Sequence, residues 1–273
     1  MEVVFGSILY EISEEIIHSF FTSLVEQDDQ EFDILLINDH LNELKLNKIL
    51  EEYSTLKPRI SVINAKENQT FCGNRCLLIT EAKKRGYDLL VRGDFDDSYA
   101  KDKISSYKKQ FDESYGFFYN DIELNDESIF EDLPVECTSY KQIGQYNFLG
   151  EGACGINLHQ ITDSIMGDLS EGKTRIFDWY LFTTLLLNGL IGKRIDGAYT
   201  YYHIYENNMA GIPKKNEETI NREIDIKRLH YGLLKDKNAY FNHLYNLYSD
   251  NNEINITEDK NKYYWWQFTF VEE

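Results

Sequence analysis

The chain has 273 residues, enough to bury a substantial core in one large domain or a domain with an appendage. Its 28 basic and 47 acidic residues leave a net charge of −19, which repels nucleic acid and anionic lipid and excludes both as broad partners. An anionic substrate on such a chain needs local positive groups or a metal. The 14% aromatic content belongs to an ordered globular protein.

In chain order, Val3–Leu9 reads as a first buried strand. Ser13, Glu14 and Glu15 open a helix whose apolar positions Ile16, Ile17, Phe20, Phe21 and Leu24 follow helical spacing. Phe32–Asp39 predicts a second strand ending in a polar pair, Leu44–Tyr53 a helix, and Ile60–Asn64 a third strand. Asn74–Arg85 predicts another helix and Leu89–Val91 another strand. Strands that are continuous apolar runs alternating with helices imply an α/β fold with a mostly parallel central sheet and right-handed crossovers. Ligands collect at the carboxyl ends of such strands, where Ser7, Asp39, Asn64 and Asp94 are expected to share one cleft.

Further on, Tyr115–Tyr119 and Glu136–Tyr140 read as strands of a meander, and Gly150–Gly155 as a flexible glycine-rich loop. Phe177–Leu187 predicts a long apolar helix ending at Asn188-Gly189, and Ile191–Tyr202 a returning strand. Residues 214–262 turn rich in Lys, Glu and Asn, with helical spacing at Leu229, Leu233, Phe241, Leu244 and Leu247. These imply a unit over residues 1–211 and a helical, aromatic extension over 212–273 packed on it. The aromatics of that extension, Tyr263 to Phe268, predict a packed lid, with a peripheral membrane or oligomer contact as the alternative.

The most informative stretch is Tyr87–Asp97, where an apolar strand delivers Asp94, Asp96 and Asp97 at its carboxyl end. Two carboxylates about 4 Å apart repel by roughly 4 kcal/mol at an effective dielectric near 20, so the cluster invites a cation. Hard divalent ions such as Mn²⁺ or Mg²⁺ take oxygen ligands and substrate phosphates. An EF-hand fails on spacing, since Tyr99 and Ser105 stand where Gly and Glu are needed. A haloacid-dehalogenase-like phosphotransferase also carries Asp-x-Asp after a strand, normally near the chain start. It is the alternative enzyme. The four cysteines lack the spacing of a zinc site and read as free, buried thiols of a reducing cytoplasm. Glu2 stands where a secretion signal would be basic, and no apolar run is long enough to span a bilayer.

Together these motifs resemble the family 2 glycosyltransferases, which have the GT-A nucleotide-diphospho-sugar transferase fold, over roughly residues 2–211. The carriers are the first strand with Ser7, the pair Asn38-Asp39, Asn74-Arg75 with Ala82, Gly86 and Tyr87, and Asp94-Phe95-Asp96-Asp97. Further along they are Phe177-Asp178-Trp179-Tyr180-Leu181 with Asn188-Gly189, and Tyr201 to Asn208. Arg92-Gly93 stands where the family has apolar residues, Phe177 where it has a further acid, and Tyr205 where it often has His.

The resemblance implies transfer of a sugar, with inversion, from a UDP- or GDP-sugar to a glycan or lipid-linked acceptor, as in surface polysaccharide synthesis. It implies Asp178 as catalytic base, with Glu151 next in line. Ser7, Asp39, Asn68, Arg75, Asp94 and Asp96 are the expected donor contacts. Asp96, Asp94, Asp97 and His203 are the expected ligands for Mn²⁺ or Mg²⁺, and Glu151, Gly152 and Ala153 the expected acceptor contacts. A non-catalytic sugar-nucleotide-binding protein would keep Asp94 and Asp96 but tolerate loss of Asp178. A nucleotidyltransferase would need a basic first loop that Gly6-Ser7-Ile8-Leu9 lacks.

Overall fold

The computed structural model describes residues 1–130, 132–174, 176–203, 215–250, 254–257 and 264–272. The first half alternates as expected: β1 Val3–Leu9, α1 Glu14–Val25, β2 Asp33–Asn38, α2 Glu43–Glu52, β3 Ile60–Asn64, α3 Phe71–Lys84 and β4 Leu89–Arg92. Helix α1 buries Ile17, Phe20, Phe21 and Leu24, which its spacing singles out. Asn42 caps α2 by accepting the N–H groups of Leu44 and Lys45. Thr70 caps α3 by accepting from Gly73, which is why that helix starts at Phe71, before the expected Asn74.

The second half comprises β5 Ser98–Tyr99, α4 Lys103–Gln110, β6 Phe117–Leu124, β7 Glu127–Ser128, β8 Glu136–Cys137, β9 Cys154–Asn157, α5 Asp163–Glu171, α6 Phe177–Leu187 and β10 Gly192–Tyr201. Helices α7 Glu217–Leu234 and α8 Ala239–Asp250 follow, then the short pair β11 Asn255–Ile256 and β12 Thr269–Phe270. No helix among the described residues is long and apolar enough to cross a membrane.

The main sheet runs β3-β2-β1-β4-β9-β6-β10-β5. It is parallel from β3 through β4 and again between β6 and β10. Strand β9 lies antiparallel between β4 and β6 and joins the two parallel blocks. The expected meander is therefore not formed. Strand β6 pairs with the distant β9 and β10, while Glu136–Tyr140 gives only the two-residue β8 before a 3₁₀ turn at Tyr140–Ile143. The stretch read as a flexible loop is also different: Glu151–Ala153 is a buried 3₁₀ turn and Cys154 already begins β9. Its small residues fill a crowded place rather than a mobile one.

Because β4, β6 and β10 point the same way, their carboxyl ends share one edge with those of β1, β2 and β3, and β9 enters the sheet from that edge. One face of the sheet packs on α1 and α2 through Phe5, Phe20, Leu36 and Val91. The other packs on α3, α5 and α6, and the same core cluster takes in Tyr231 of α7, Phe241 of α8, Tyr264 and Val271. The C-terminal extension thus shares the core; the boundary expected at residues 211 and 212 lies outside the described residues.

Candidate active site

The three acids reach one place because Gly93 ends β4 tightly. A Cβ there would stand 2.3 Å from Phe5 Cζ and from the Tyr99 hydroxyl, so only glycine lets the chain turn. Carboxylate oxygens of Asp94, Asp96 and Asp97 then lie within 4.8 Å of one another. Burial, with Glu151 and Asp96 adding negative charge, pushes Asp94 up to about 7. Burial and the neighbouring Asp96 and Asp94 push Asp97 well above the usual carboxylate range. The Tyr99 hydroxyl donates to the main-chain oxygen of Asp94, and the His203 main-chain N–H donates to Asp97 Oδ1 at 3.4 Å. The His203 ring nitrogen Nε2 sits 3.0 Å from Ser98 Oγ, so the ring lies beside the cluster rather than in it.

Gly152 presses its Cα against this cluster: a Cβ there would stand 2.7 Å from Asp94 Oδ2 and 3.1 Å from Asp97 Oδ2. Beneath it, the fully buried Lys103 donates to the Gly152 carbonyl at 3.0 Å and to Thr200 Oγ1 at 2.9 Å. Burial lowers the Lys103 ammonium to about 7, against the pull of Cys154, Asp97 and Asp94. Lys103 carries no sequence signal, since nothing in the stretch between Val91 and Tyr115 sets one lysine apart from its neighbours.

The next residue back is Glu151, whose carboxylate pairs with Nε of Arg75 on α3 and Nη2 of Arg92 at the end of β4. Burial alone would raise its pKa, but the two guanidinium groups hold it below the usual range. A carboxylate so engaged is a poor proton acceptor. Arg92 is 2% exposed and explains the departure seen before the acids: it is the buried counter-charge of Glu151. Its Nη1 has no partner among the described residues. Arg75 stacks over Phe71 at 3.4 Å; burial opposes its charge, which Glu151, Asp94 and Asp178 sustain.

Asp178 enters from the first turn of α6, on the α3 side of the sheet. Its Oδ1 accepts the Trp179 N–H at 2.7 Å, while Trp179 donates to the Ile143 carbonyl at 2.6 Å and stacks on His230 of α7 at 4.1 Å. Burial, outweighing the Trp179 hydrogen bond and reinforced by Glu151 and Asp94, brings Asp178 to about 7.

Of the other expected residues, Asp39 follows β2 at the carboxyl edge, 3.6 Å from His40 Nε2. Asn68 is exposed in the turn before α3. Ser7 is not at an edge: it is fully buried within β1, opposite Leu36, and its hydroxyl has no partner among the described residues. Ala153 is buried behind Gly152. Tyr205 to Asn208 lie outside the described residues.

The model of glycosyl transferase family 2 matches residues 8–166, a span that holds the acid cluster, Arg75, Arg92 and Glu151 and stops before Asp178. Among solved structures, the fold is similar to Staphylococcus aureus TarS 1-349 in complex with UDP-GlcNAc, with a TM-score of 0.60 and 14% identity over 91% of this chain and 72% of that one. It is also similar to the mannosyltransferase PcManGT of Pyrobaculum calidifontis in complex with GDP-Man and Mn²⁺, with a TM-score of 0.54 and 11% identity over 85% of this chain and 63% of that one. No curated protein matches the chain. Such low identities establish the GT-A fold alone. The acid cluster follows the fourth strand in sequence rather than the first, unlike the phosphotransferase alternative. With more than half of its residues matched by the family model, the chain belongs to glycosyl transferase family 2 and is a glycosyltransferase.

Proposed function

We propose that the protein moves a sugar from a UDP- or GDP-sugar to a hydroxyl of a glycan or lipid-linked acceptor, with inversion, using Mn²⁺ or Mg²⁺ at Asp94, Asp96 and Asp97. The observation that carries this reading is the three carboxylates gathered within 4.8 Å at the end of β4. Burial first, and then the neighbouring carboxylates, raise Asp94 and Asp97, and a hard divalent cation relieves that cost by holding them in the charged form. Such an ion, when bound, offsets the charge that builds on the departing diphosphate.

The chain's own residues do the rest. Asp178 accepts the proton of the acceptor hydroxyl, and a pKa of about 7 suits a base working near neutrality. Arg75, kept charged by its acidic neighbours, faces the donor phosphates. Glu151 fixes Arg75 and Arg92 and so shapes the acceptor side with Gly152 and Ala153 rather than taking the proton itself. Asp39 and Asn68 serve the nucleotide end, Ser7 supports the floor beneath it, and His203 remains a candidate ligand from its place beside Asp97. The nucleotide sugars in the TarS and PcManGT complexes support the donor class. We assign catalysis to residues 1–211 and a stabilising role to 212–273. The four buried, unbridged cysteines fit a cytoplasmic location.

Calorimetry of UDP and GDP with Mn²⁺, repeated in EDTA, tests the metal. Binding should weaken at least about tenfold in EDTA and in Asp96→Asn. Equal affinity in both conditions would remove the ion from the reaction.

A further inference from the structure

The carboxylates of Asp94, Asp96 and Asp97 repel one another, so the chain itself has to impose their spacing before any cation arrives. It does so from two sides. Gly152 sets its Cα against Asp94 Oδ2 and Asp97 Oδ2, leaving no room for a Cβ. On the other side the Tyr99 hydroxyl donates to the Asp94 main-chain oxygen, which also accepts the Asp97 N–H at 3.2 Å.

Both sides rest on one side chain. Lys103, the first residue of α4, is fully buried. Its ammonium meets the Gly152 carbonyl at 3.0 Å, Thr200 Oγ1 at 2.9 Å and the Tyr99 ring at 4.4 Å from the centroid. An ammonium carries three donors, and three partners surround this one. The Thr200 hydroxyl in turn donates to the Gly152 carbonyl at 3.1 Å and accepts from Asn120 Nδ2 at 3.1 Å. Asn120 Oδ1 accepts from the Tyr107 hydroxyl at 2.8 Å, so α4, β5, β6 and β10 are tied to one carbonyl oxygen. The first turn of α4 is fixed as well: Gln27 accepts the Ile104 N–H at 3.0 Å and donates to the Ala100 carbonyl at 2.8 Å. Among the described residues Lys103 hydrogen-bonds no carboxylate, although Asp97 and Asp94 help to sustain its charge.

We propose that Lys103 is a positioning residue for the metal site, holding Gly152 and Tyr99 so that Asp94 and Asp97 keep the spacing a divalent cation needs. The proposal rests on the metal-dependent transferase reading and adds the group that prearranges the ligands. Removing a group that acts through the ligands rather than on the ion changes metal affinity by roughly 10- to 100-fold. Charge alone has the opposite sign. A cation lost from beside the acids leaves them more negative and draws Mn²⁺ in more tightly. The sign of the change therefore separates the two roles.

The test is titration of Mn²⁺, read by electron paramagnetic resonance on the full chain with and without UDP. The proteins compared are the wild type, Lys103→Met, Thr200→Val and Thr200→Ser, and melting in EDTA follows the stability of each separately. Lys103→Met should hold Mn²⁺ about 10- to 100-fold more weakly. Thr200→Val keeps the shape but removes the shared hydroxyl, and should weaken Mn²⁺ by at least about threefold. Thr200→Ser keeps the hydroxyl and should stay within about twofold of the wild type. Unchanged or tighter Mn²⁺ binding by Lys103→Met, or equal binding by the two Thr200 variants, would overturn the positioning role. A lower melting temperature with no change in Mn²⁺ affinity would overturn it too, and if Lys103→Met does not fold the Thr200 pair decides. Lys103-dependent Mn²⁺ binding in a protein that does not bind UDP would uphold the role while failing the donor reading. A wild type that takes no Mn²⁺ in either condition would remove both.

Discussion

Among the described residues the molecule buries charge in two places, and they are built differently. In the C-terminal extension, Glu223 and Lys227 pair at 3.1 Å with both side chains buried. Glu223 accepts from Thr269 N–H and Oγ1, each at 2.7 Å, and from Phe268 N–H at 3.1 Å, while Lys227 donates to the Thr269 carbonyl and to Tyr248. This pair is closed on itself and pins the last strand to α7. At the cleft, Glu151 is shared by Arg75 and Arg92, Arg92 Nη1 is buried without a partner among the described residues, and Asp94, Asp97 and Asp178 are all displaced from their ordinary pKa values. A satisfied buried pair holds architecture together, whereas an unsatisfied group of charges is arranged around something else.

That contrast can be broken first at Asp178. Asp178→Asn should lower turnover by about 10²- to 10⁴-fold while UDP affinity stays as in the wild type. Turnover within a few-fold of normal would move the base elsewhere.

The closed pair should respond in the opposite way. Glu223→Ala leaves Lys227 buried and uncompensated, so urea unfolding should show a loss of about 3–5 kcal/mol. UDP affinity of the folded variant should not change. A variant of normal stability that binds donor poorly would erase the distinction between the two regions.

The smallest effect concerns pH in the metal-free protein. Burial raises Asp94 from 3.8 to about 7, so the fold favours its protonated form. Its contribution is fully present below about pH 4 and is lost as pH rises through about 7. Asp94→Asn removes the charge and should raise the melting temperature by a few degrees at pH 8 in EDTA, with little change near pH 4. An equal shift at both pH values would show that the carboxylate is not under strain there.

How much of this the sequence showed depended on distance along the chain. The half from β1 to β4 was legible because each strand is a buried apolar run, and Asp94, Asp96 and Asp97 because three acids in four residues are conspicuous without a fold. The pairing of Glu151 with Arg92 was hidden, since 59 positions separate them and Arg92 looks only like an oddity in a strand. The start of β9, Cys154-Gly155, looks like loop because glycines dominate its approach, although they let Tyr107 and Asp94 come close. Asp178 is singled out by motif alone, and its neighbours Trp179 and His230 depend on α7, which composition reveals only as a helix.

The reversed direction of β9 has a further consequence. On the side of β1, β2 and β3, segments leaving those strands build the rim, and each is tied to the strand order of the core. On the far side, the rim is made by one segment arriving at β9 and by residues 264–272, which Asn147 and Trp265 tie together. Such a layout makes residues 145–153 answer to both halves: Gln145 and Asn147 hold the C-terminal segment, while Glu151 and Gly152 stand against Arg75, Arg92 and Asp94, so a change in that one stretch is felt on both sides of the cleft.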